Sequence, residues 1–252
     1  MRILILRPEP EAGRMAKELR RRGHDAIAAP MLVRESLGSS SDDLAGRRWQ
    51  GVLVTSPKAL GDFPVPERLL DLPVFAVGAA SAAAARAAGF RDVRTGPGTA
   101  EGLAADLRGR LDPAAGPLLW LAATDRSVDL AALLAGDGLA VDLVETYRMV
   151  PRGELTDAER AALAAGAIVV TASARTSAAL ADLLGRAGEG GARGQVVAAI
   201  SQKAAAPLAA AGAGEVAVAG EPTAASLFAL VEALSSRRGL TAPPAGDEIE
   251  QE

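Results

Sequence analysis

Short runs of Val, Ile and Leu alternate along the chain with longer Ala/Leu-rich stretches of helical period, and this alternation predicts βα units in parallel sheets. Strands are expected at Ile3 to Leu6, Val52 to Thr55, Val74 to Val77, Asp92 to Arg94, Leu118 to Leu121, Ala167 to Thr171, Val196 to Ile200 and Glu215 to Val218, each followed by a helix. Gly23, Gly89, Gly138 and Gly212 stand just before the next strand, where a left-handed helix end favours a residue without Cβ. Pro8, Ser56-Pro57, Ser81, Asp125, Ser173 and Thr223 are the residue types that open helices.

The pattern repeats. VLVTSPKAL from Val52 resembles IVVTASARTSAAL from Ile168, VFAVGAASAAAARAAGF from Val74 resembles VVAAISQKAAAPLAAAG from Val196, and VRTGPGTAEGLAADL from Val93 resembles VAVAGEPTAASLFAL from Val216. A fourth segment, from Leu118, matches the chain's own N-terminus, with Leu134 over Leu19 and Gly138 over Gly23. If both copies need all four segments to close a core, the N-terminal one must join the C-terminal three. One lobe is then residues 1–33 plus 153–236 and the other is inserted at 38–142, with β-branched, Pro-flanked crossings at 28–37 and 141–152 expected to pair as a two-stranded linker. A ligand cleft between hinged lobes is expected from this arrangement. The polar, Pro-bearing tail 237–252 is expected to be disordered.

Composition narrows the chemistry. Aromatic residues are only 3% against 49% hydrophobic, so the cores must be built from Ala, Val and Leu. With 27 Lys and Arg against 31 Asp and Glu, the formal charge is −4, and no long basic run marks a nucleic-acid partner. Cysteine is absent and His24 is the single histidine, which excludes disulfides, thiolate nucleophiles and Cys/His metal sites and leaves no metal site expected. MRILILRPEPE reads as strand and turn rather than a signal peptide, and no apolar run approaches the roughly 20 residues of a membrane span, so a cytoplasmic protein without a membrane partner is expected.

In open α/β sheets ligands bind beyond the C-terminal strand edge, at helix N-termini. Here those edges carry Thr55-Ser56-Pro57, Gly78 to Ser81, Gly96 to Thr99, Thr171 to Ser173, Ser201 to Lys203 and Gly220 to Thr223, small residues suited to a polyanionic ligand and equally to simple capping. The dinucleotide fingerprint and the Walker A sequence are both missing, so no NAD, FAD or ATP is expected.

Taken in order, VLVTSPKAL, VFAVGAASAAAARAAGF, GTAEGL, LAATDRSVDL, LVETYRMVP, IVVTASART and AAISQKAAAPLAAAG resemble the uroporphyrinogen-III synthase family, in register from about residue 2 to residue 235. The resemblance implies an α/β fold of two flavodoxin- or Rossmann-like lobes, each a parallel sheet flanked by helices, joined by a two-stranded β linker. It implies a cofactor-free lyase of heme and tetrapyrrole biosynthesis; a monomer is expected because nothing in the sequence suggests a large exposed apolar face. Its substrate, hydroxymethylbilane, would lose its hydroxyl as water and close into uroporphyrinogen III with the last pyrrole inverted through a spiro intermediate. The linear substrate closes unaided to the uninverted isomer, so the enzyme's task is chiefly conformational selection.

Carried over residue by residue, Tyr147 matches the tyrosine of the family's V-x-x-Y-R-x-x-P linker and is the candidate proton donor. Thr55 and Ser56 match the T-S-P helix start, Thr171 and Ser173 stand in the second copy, and Ser81 stands where the family often has Thr after its V-G motif, with Gly78 giving close backbone approach. Arg7, Thr99, Arg126, Ser201, Lys203 and Thr223 complete the candidate substrate-binding set. Lys58, Arg148 and Arg175 also stand near the cleft-side ends, whereas His24 follows a helix end on the other side and reads as structural. Two departures stand out: Ser201-Gln202-Lys203-Ala204 replaces the family's G-P-T-T-like turn, and Leu6 replaces a threonine before the first Arg. The competing readings are a bilobed small-molecule binding or sensory domain and an inactive homologue.

Overall fold

The computed structural model describes residues 1–38, 44, 47–186 and 192–240. These form two compact units, Met1–Val33 with the chain from Pro151 onward (unit 1), and Arg34–Val150 (unit 2). In chain order the elements are β1 (Arg2–Ile5), α1 (Glu11–Arg21), β2 (Asp25–Ala28), β3 (Leu32–Ser36), β4 (Gly51–Val54), β5 (Val74–Ala76) and α2 (Ala79–Ala87). There follow β6 (Val93–Thr95), α3 (Ala100–Leu107), β7 (Leu118–Ala123), α4 (Leu130–Ala135), β8 (Val141–Pro151) and α5 (Asp157–Ala164). The chain then runs through β9 (Ile168–Thr171), α6 (Ala174–Arg186), β10 (Val196–Ala199), α7 (Gln202–Ala210), β11 (Glu215–Val218) and α8 (Ala224–Leu240).

Unit 1 holds a parallel sheet in the order β11-β10-β9-β1-β2, and unit 2 a sheet in the order β3-β8-β7-β4-β5-β6. Replacing each strand by its repeat partner converts one order into the other, with β4, β5, β6 and β7 standing for β9, β10, β11 and β1, and β8 for β2. The central strands are buried on both faces, as parallel strands between helix layers must be. Ile3 and Ile5 pack with Ile168 and Val170 on one face of the first sheet, while Leu4 packs with Val169 and Val197 on the other. In the second sheet Val52 and Val54 face one core and Leu53 and Trp120 the opposite one. Each such Val, Leu or Ile side chain contributes about 1.5–3 kcal/mol by leaving water.

The helix-ending glycines Gly23, Gly89, Gly138 and Gly212 have φ between +72° and +97°, a region other residues enter only with strain. Two features depart from the sequence expectation. First, β4 is followed not by an α-helix but by two single 3₁₀ turns, Pro57–Ala59 and Glu67–Leu69. The intervening Gly61, Pro64 and Pro66 prevent the i to i−4 ladder from propagating. Second, α8 continues through Leu240, so residues 237–240 of the expected disordered tail are helical. Leu234 and Ser235 are buried and Arg237 pairs with Glu215 at 3.3 Å, which holds this end of the helix; the remaining tail, 241–252, lies outside the described residues.

The two crossings run as strands joined to the sheets of the units. β2 pairs with β1 inside unit 1's sheet, and β3 and β8 belong to the six-stranded sheet. β8 runs parallel to β7 over its first half, while the bonds from Leu37 N to Thr146 O and from Arg152 N to Met31 O fit one antiparallel register with β3. Between β7 and β8 the register slips: Ala122 faces Glu145 but Ala123 faces Tyr147, leaving Thr146 as the extra residue of a β-bulge.

Candidate active site

The bulge sets up the site. Leu121 faces Val144 and, because Thr146 is skipped, Ala123 faces Tyr147, so Tyr147 joins the same core face as Leu121 although an odd step along β8 would send it to the other. Thr146 itself is buried and donates its hydroxyl to Ala59 O at 2.7 Å, which ties the bulge to the 3₁₀ turn after β4. The Tyr147 ring is only 5% exposed, and its phenol donates to Ser56 Oγ at 3.1 Å.

Three strand edges surround that phenol. After β4, Ser56 caps the 3₁₀ turn by accepting from Lys58 N at 3.3 Å, with Pro57 at the first position. Thr55 Oγ1 accepts from Trp120 Nε1, on the neighbouring β7, at 3.1 Å. After β6, Gly98 turns the chain with φ +105°, and a Cβ placed on Gly78 would stand 3.4 Å from its Cα, so this approach favours two glycines. Thr99 then caps α3, accepting from Gly102 N at 3.0 Å. The first-turn N–H groups of Ala100 and Glu101 keep no intrahelical acceptor.

Together these edges line a hollow of about 500 Å3 within unit 2, containing Thr55, Ser56, Val77, Gly98, Thr99, Trp120, Arg126 and Tyr147. Arg126 is held by Glu145 at 2.7 Å and lies 5.6 Å from the Trp120 ring centroid. Glu101 and Asp125 also line the hollow, so its field is mixed and anion contacts fall to main-chain N–H groups together with Arg126. The arrangement offers one phenol, several hydroxyls, a helix N-terminus and an indole wall. Among the described residues no group of three or more His, Asp or Glu side chains is placed to hold a metal ion, and no helix is long and apolar enough to cross a membrane.

Thus Thr55, Ser56, Thr99, Arg126 and Tyr147 converge on one hollow, with Gly78 beside it. Ser81 does not: it is 2% exposed on the inner face of α2 with Ala82 and Ala85, one turn past the helix start that it was expected to form. Thr171, the counterpart of Thr55, is fully buried, its hydroxyl 2.7 Å from Ser177 Oγ and 3.3 Å from Thr176 Oγ1, so it has no surface for a ligand.

The other unit 1 candidates keep to their own strand edges. Ser173 Oγ accepts from Arg175 N, Ser201 caps α7 by accepting from Ala204 N, and Thr223 caps α8 by accepting from Ser226 N. Lys203 is exposed in the first turn of α7. Arg7 lines a separate hollow of about 310 Å3 with Glu11, Met15 and Phe228. His24 pairs with Glu232 at 3.3 Å, in keeping with its structural reading. Lys58 is half-buried, and Arg148 is engaged by Glu35 at 2.6 Å, a hydrogen bond that raises its guanidinium above the ordinary value.

Sequence reasoning missed Trp120, Glu145 and Arg34. Arg34 lies 5.4 Å from the Tyr147 ring centroid, a placement set by strand pairing that no local pattern announces.

Residues 13–229 match the family model described as Uroporphyrinogen-III synthase HemD. No curated protein matches the chain. Among solved structures, the chain is similar to uroporphyrinogen-III synthetase from Helicobacter pylori, at 15% identity and a TM-score of 0.57, over 93% of this chain and 100% of that one. It is also similar to uroporphyrinogen III synthase from Thermus thermophilus, at 17% identity and a TM-score of 0.41, over 96% and 100%. The first of these likenesses shows a shared fold.

Proposed function

Because this chain belongs to the uroporphyrinogen-III synthase family, we propose that the unit 2 hollow is where its reaction is assisted, with Tyr147 as the proton donor. The reaction is that of a lyase in tetrapyrrole synthesis: hydroxymethylbilane loses water and closes, with its last pyrrole inverted, to uroporphyrinogen III.

Tyr147 gives its phenolic proton to the departing hydroxyl. The C–O bond breaks toward oxygen, water leaves, and the adjacent pyrrole nitrogen supplies electrons to the vacated carbon. Ser56 Oγ, which now accepts from the phenol, turns its own hydroxyl to the phenolate left behind. The phenol recovers a proton from the one released when the closed ring system is restored. The observation that carries this reading is the bulged register that packs the ring of the chain's single tyrosine in the core and sets it at the wall of the hollow.

Substrate carboxylates are taken to meet the α3 N-terminus at Thr99, the Gly78 backbone, Arg126 and the Thr55 and Ser56 hydroxyls. Unit 1 offers further anion positions at Arg7, Ser173, Ser201, Lys203 and Thr223. The same reading takes the enzyme to be a cytoplasmic monomer without a cofactor. In support of a monomer, the large apolar side chains exposed among the described residues are the scattered Met1, Val33, Leu37 and Leu143.

The test is a product-isomer assay with hydroxymethylbilane generated in situ and no added metal. Type III product above the spontaneous type I background is expected; type I alone would overturn the reading. Tyr147→Phe should lower kcat by about ten- to a hundred-fold. An unchanged rate would return Tyr147 to packing.

A further inference from the structure

We propose that Arg34 is a positioning residue for Tyr147, holding a cation over the face of the phenol to stabilise the negative charge that develops when its proton leaves. This rests on the assignment of Tyr147 as proton donor. Arg34 stands on β3, beside β8, and the register set by Leu37 and Thr146 places it diagonal to Tyr147, within reach for a long side chain. Its Cζ lies 5.4 Å from the ring centroid. A cation at that range is attracted by the ring's electron-rich face and still more by a phenolate.

The guanidinium is fixed from its far side. Nε donates to Lys58 O at 2.8 Å and Nη1 to Asp62 Oδ2 at 2.9 Å, both on the chain that replaces a helix after β4. Asp62 is 84% exposed whereas the Arg34 side chain is 17% exposed, so water weakens the carboxylate's hold on a charge that is itself largely shielded. Nη2 is buried without a hydrogen-bond partner, leaving part of the cation's field for the ring. Gly61 makes the room: a Cβ there would come within 2.8 Å of Arg34 Cζ and 3.0 Å of Nε. A planar fork, a missing side chain and a carbonyl acceptor thus converge on one placement of the charge, and none of the three serves the apolar core.

The experiment is a double-mutant cycle on the full chain, reading kcat and KM for type III formation together with the unfolding midpoint. Arg34→Gln is expected to lower kcat about three- to ten-fold, the worth of a shielded cation–π contact, with little change in KM. In the Tyr147→Phe background the same substitution should leave kcat within about two-fold, because no phenolic proton is then transferred. Arg34→Lys keeps the charge and should recover part of the loss. Gly61→Ala, which displaces the guanidinium without removing it, should show the same dependence on Tyr147. If Arg34→Gln slows the Tyr147→Phe enzyme as much as the wild type, or raises KM with kcat unchanged, the proposal falls and the tyrosine's role stands. If Tyr147→Phe alone leaves kcat unchanged, the proton-donor assignment falls and takes this proposal with it.

Discussion

At the edge of β9 the hydroxyls of Thr171, Thr176 and Ser177 turn into one another beneath a 13-residue helix. At the edge of β4, the matching strand of the other copy, the hydroxyls of Thr55 and Ser56 meet an indole and a phenol at the wall of a hollow. The sheet order and the starting sequences, IVVTAS and VLVTSP, are nearly the same. What differs is the following segment: ARTSAALADLLGR carries a helix, whereas Gly61, Pro64 and Pro66 break one after β4. Where the helix forms, it packs down and its polar groups satisfy each other inside. Where it fails, Ser56, Arg34 and Tyr147 have room to meet. At this strand edge one copy therefore turns its hydroxyls into the interior and the other turns them to the wall of a hollow, and backbone breakers decide which.

Substitutions can break or sharpen this contrast. The largest effect on stability is expected at Arg152, which bonds Glu159, a carboxylate only 3% exposed that also closes the capping box of α5 in unit 1. Arg152→Ala strands that charge and should cost about 3–5 kcal/mol in chemical unfolding. A loss below about 1 kcal/mol would mean that the inward polar groups of unit 1 do little to hold it together.

Thr171→Val comes next. It removes the hydroxyl that meets Ser177 and Thr176, which still donate to Ala204 O and Ser173 O, and should cost about 1 kcal/mol of stability while turnover per folded molecule holds. Thr55→Val, its counterpart, should disturb turnover, because it frees the indole that walls the hollow. Equal effects of the two on kcat would erase the distinction between the copies. The smallest effect is expected at the caps: Ser201→Ala and Thr99→Ala should each cost about 1 kcal/mol, with the larger rise in KM at Thr99→Ala, measured in the isomer assay.

Much of the architecture was legible because the signals are local. β-rich runs, capping glycines and the permuted repeat were enough to read parallel βα units and to group four segments in each copy, though not to set the order of the strands within either sheet. The helix assigned after Val52 to Thr55 failed where Pro64 and Pro66 overrule the likeness to the second copy. The site was legible only by residue type. Tyr147 stood out as the single tyrosine, but its delivery to the hollow depends on one skipped residue, Thr146, in the pairing of β7 with β8. A register slip of that kind is a property of two strands at once. Arg34 was missed for the same reason, being positioned by its neighbour on β8 and by Gly61. Thr171 was misjudged because burial beneath a helix is decided by packing, and a threonine at a strand end looks alike in both copies.

The permuted order also dictates a sequence of events on the ribosome. Ile3, on an interior strand of its sheet, pairs with Ile168, so β1 must wait for a partner translated long after it. By Pro151 all of β4 to β8 have been synthesised and unit 2 has every strand that pairs parallel in its sheet, while the elements of unit 1 are still only β1, α1 and β2. The nascent chain thus carries β1 as an unfinished sheet edge throughout the making of the inserted unit, and a pause or truncation before β9 exposes Leu4 and Ile5 to whatever strand comes near.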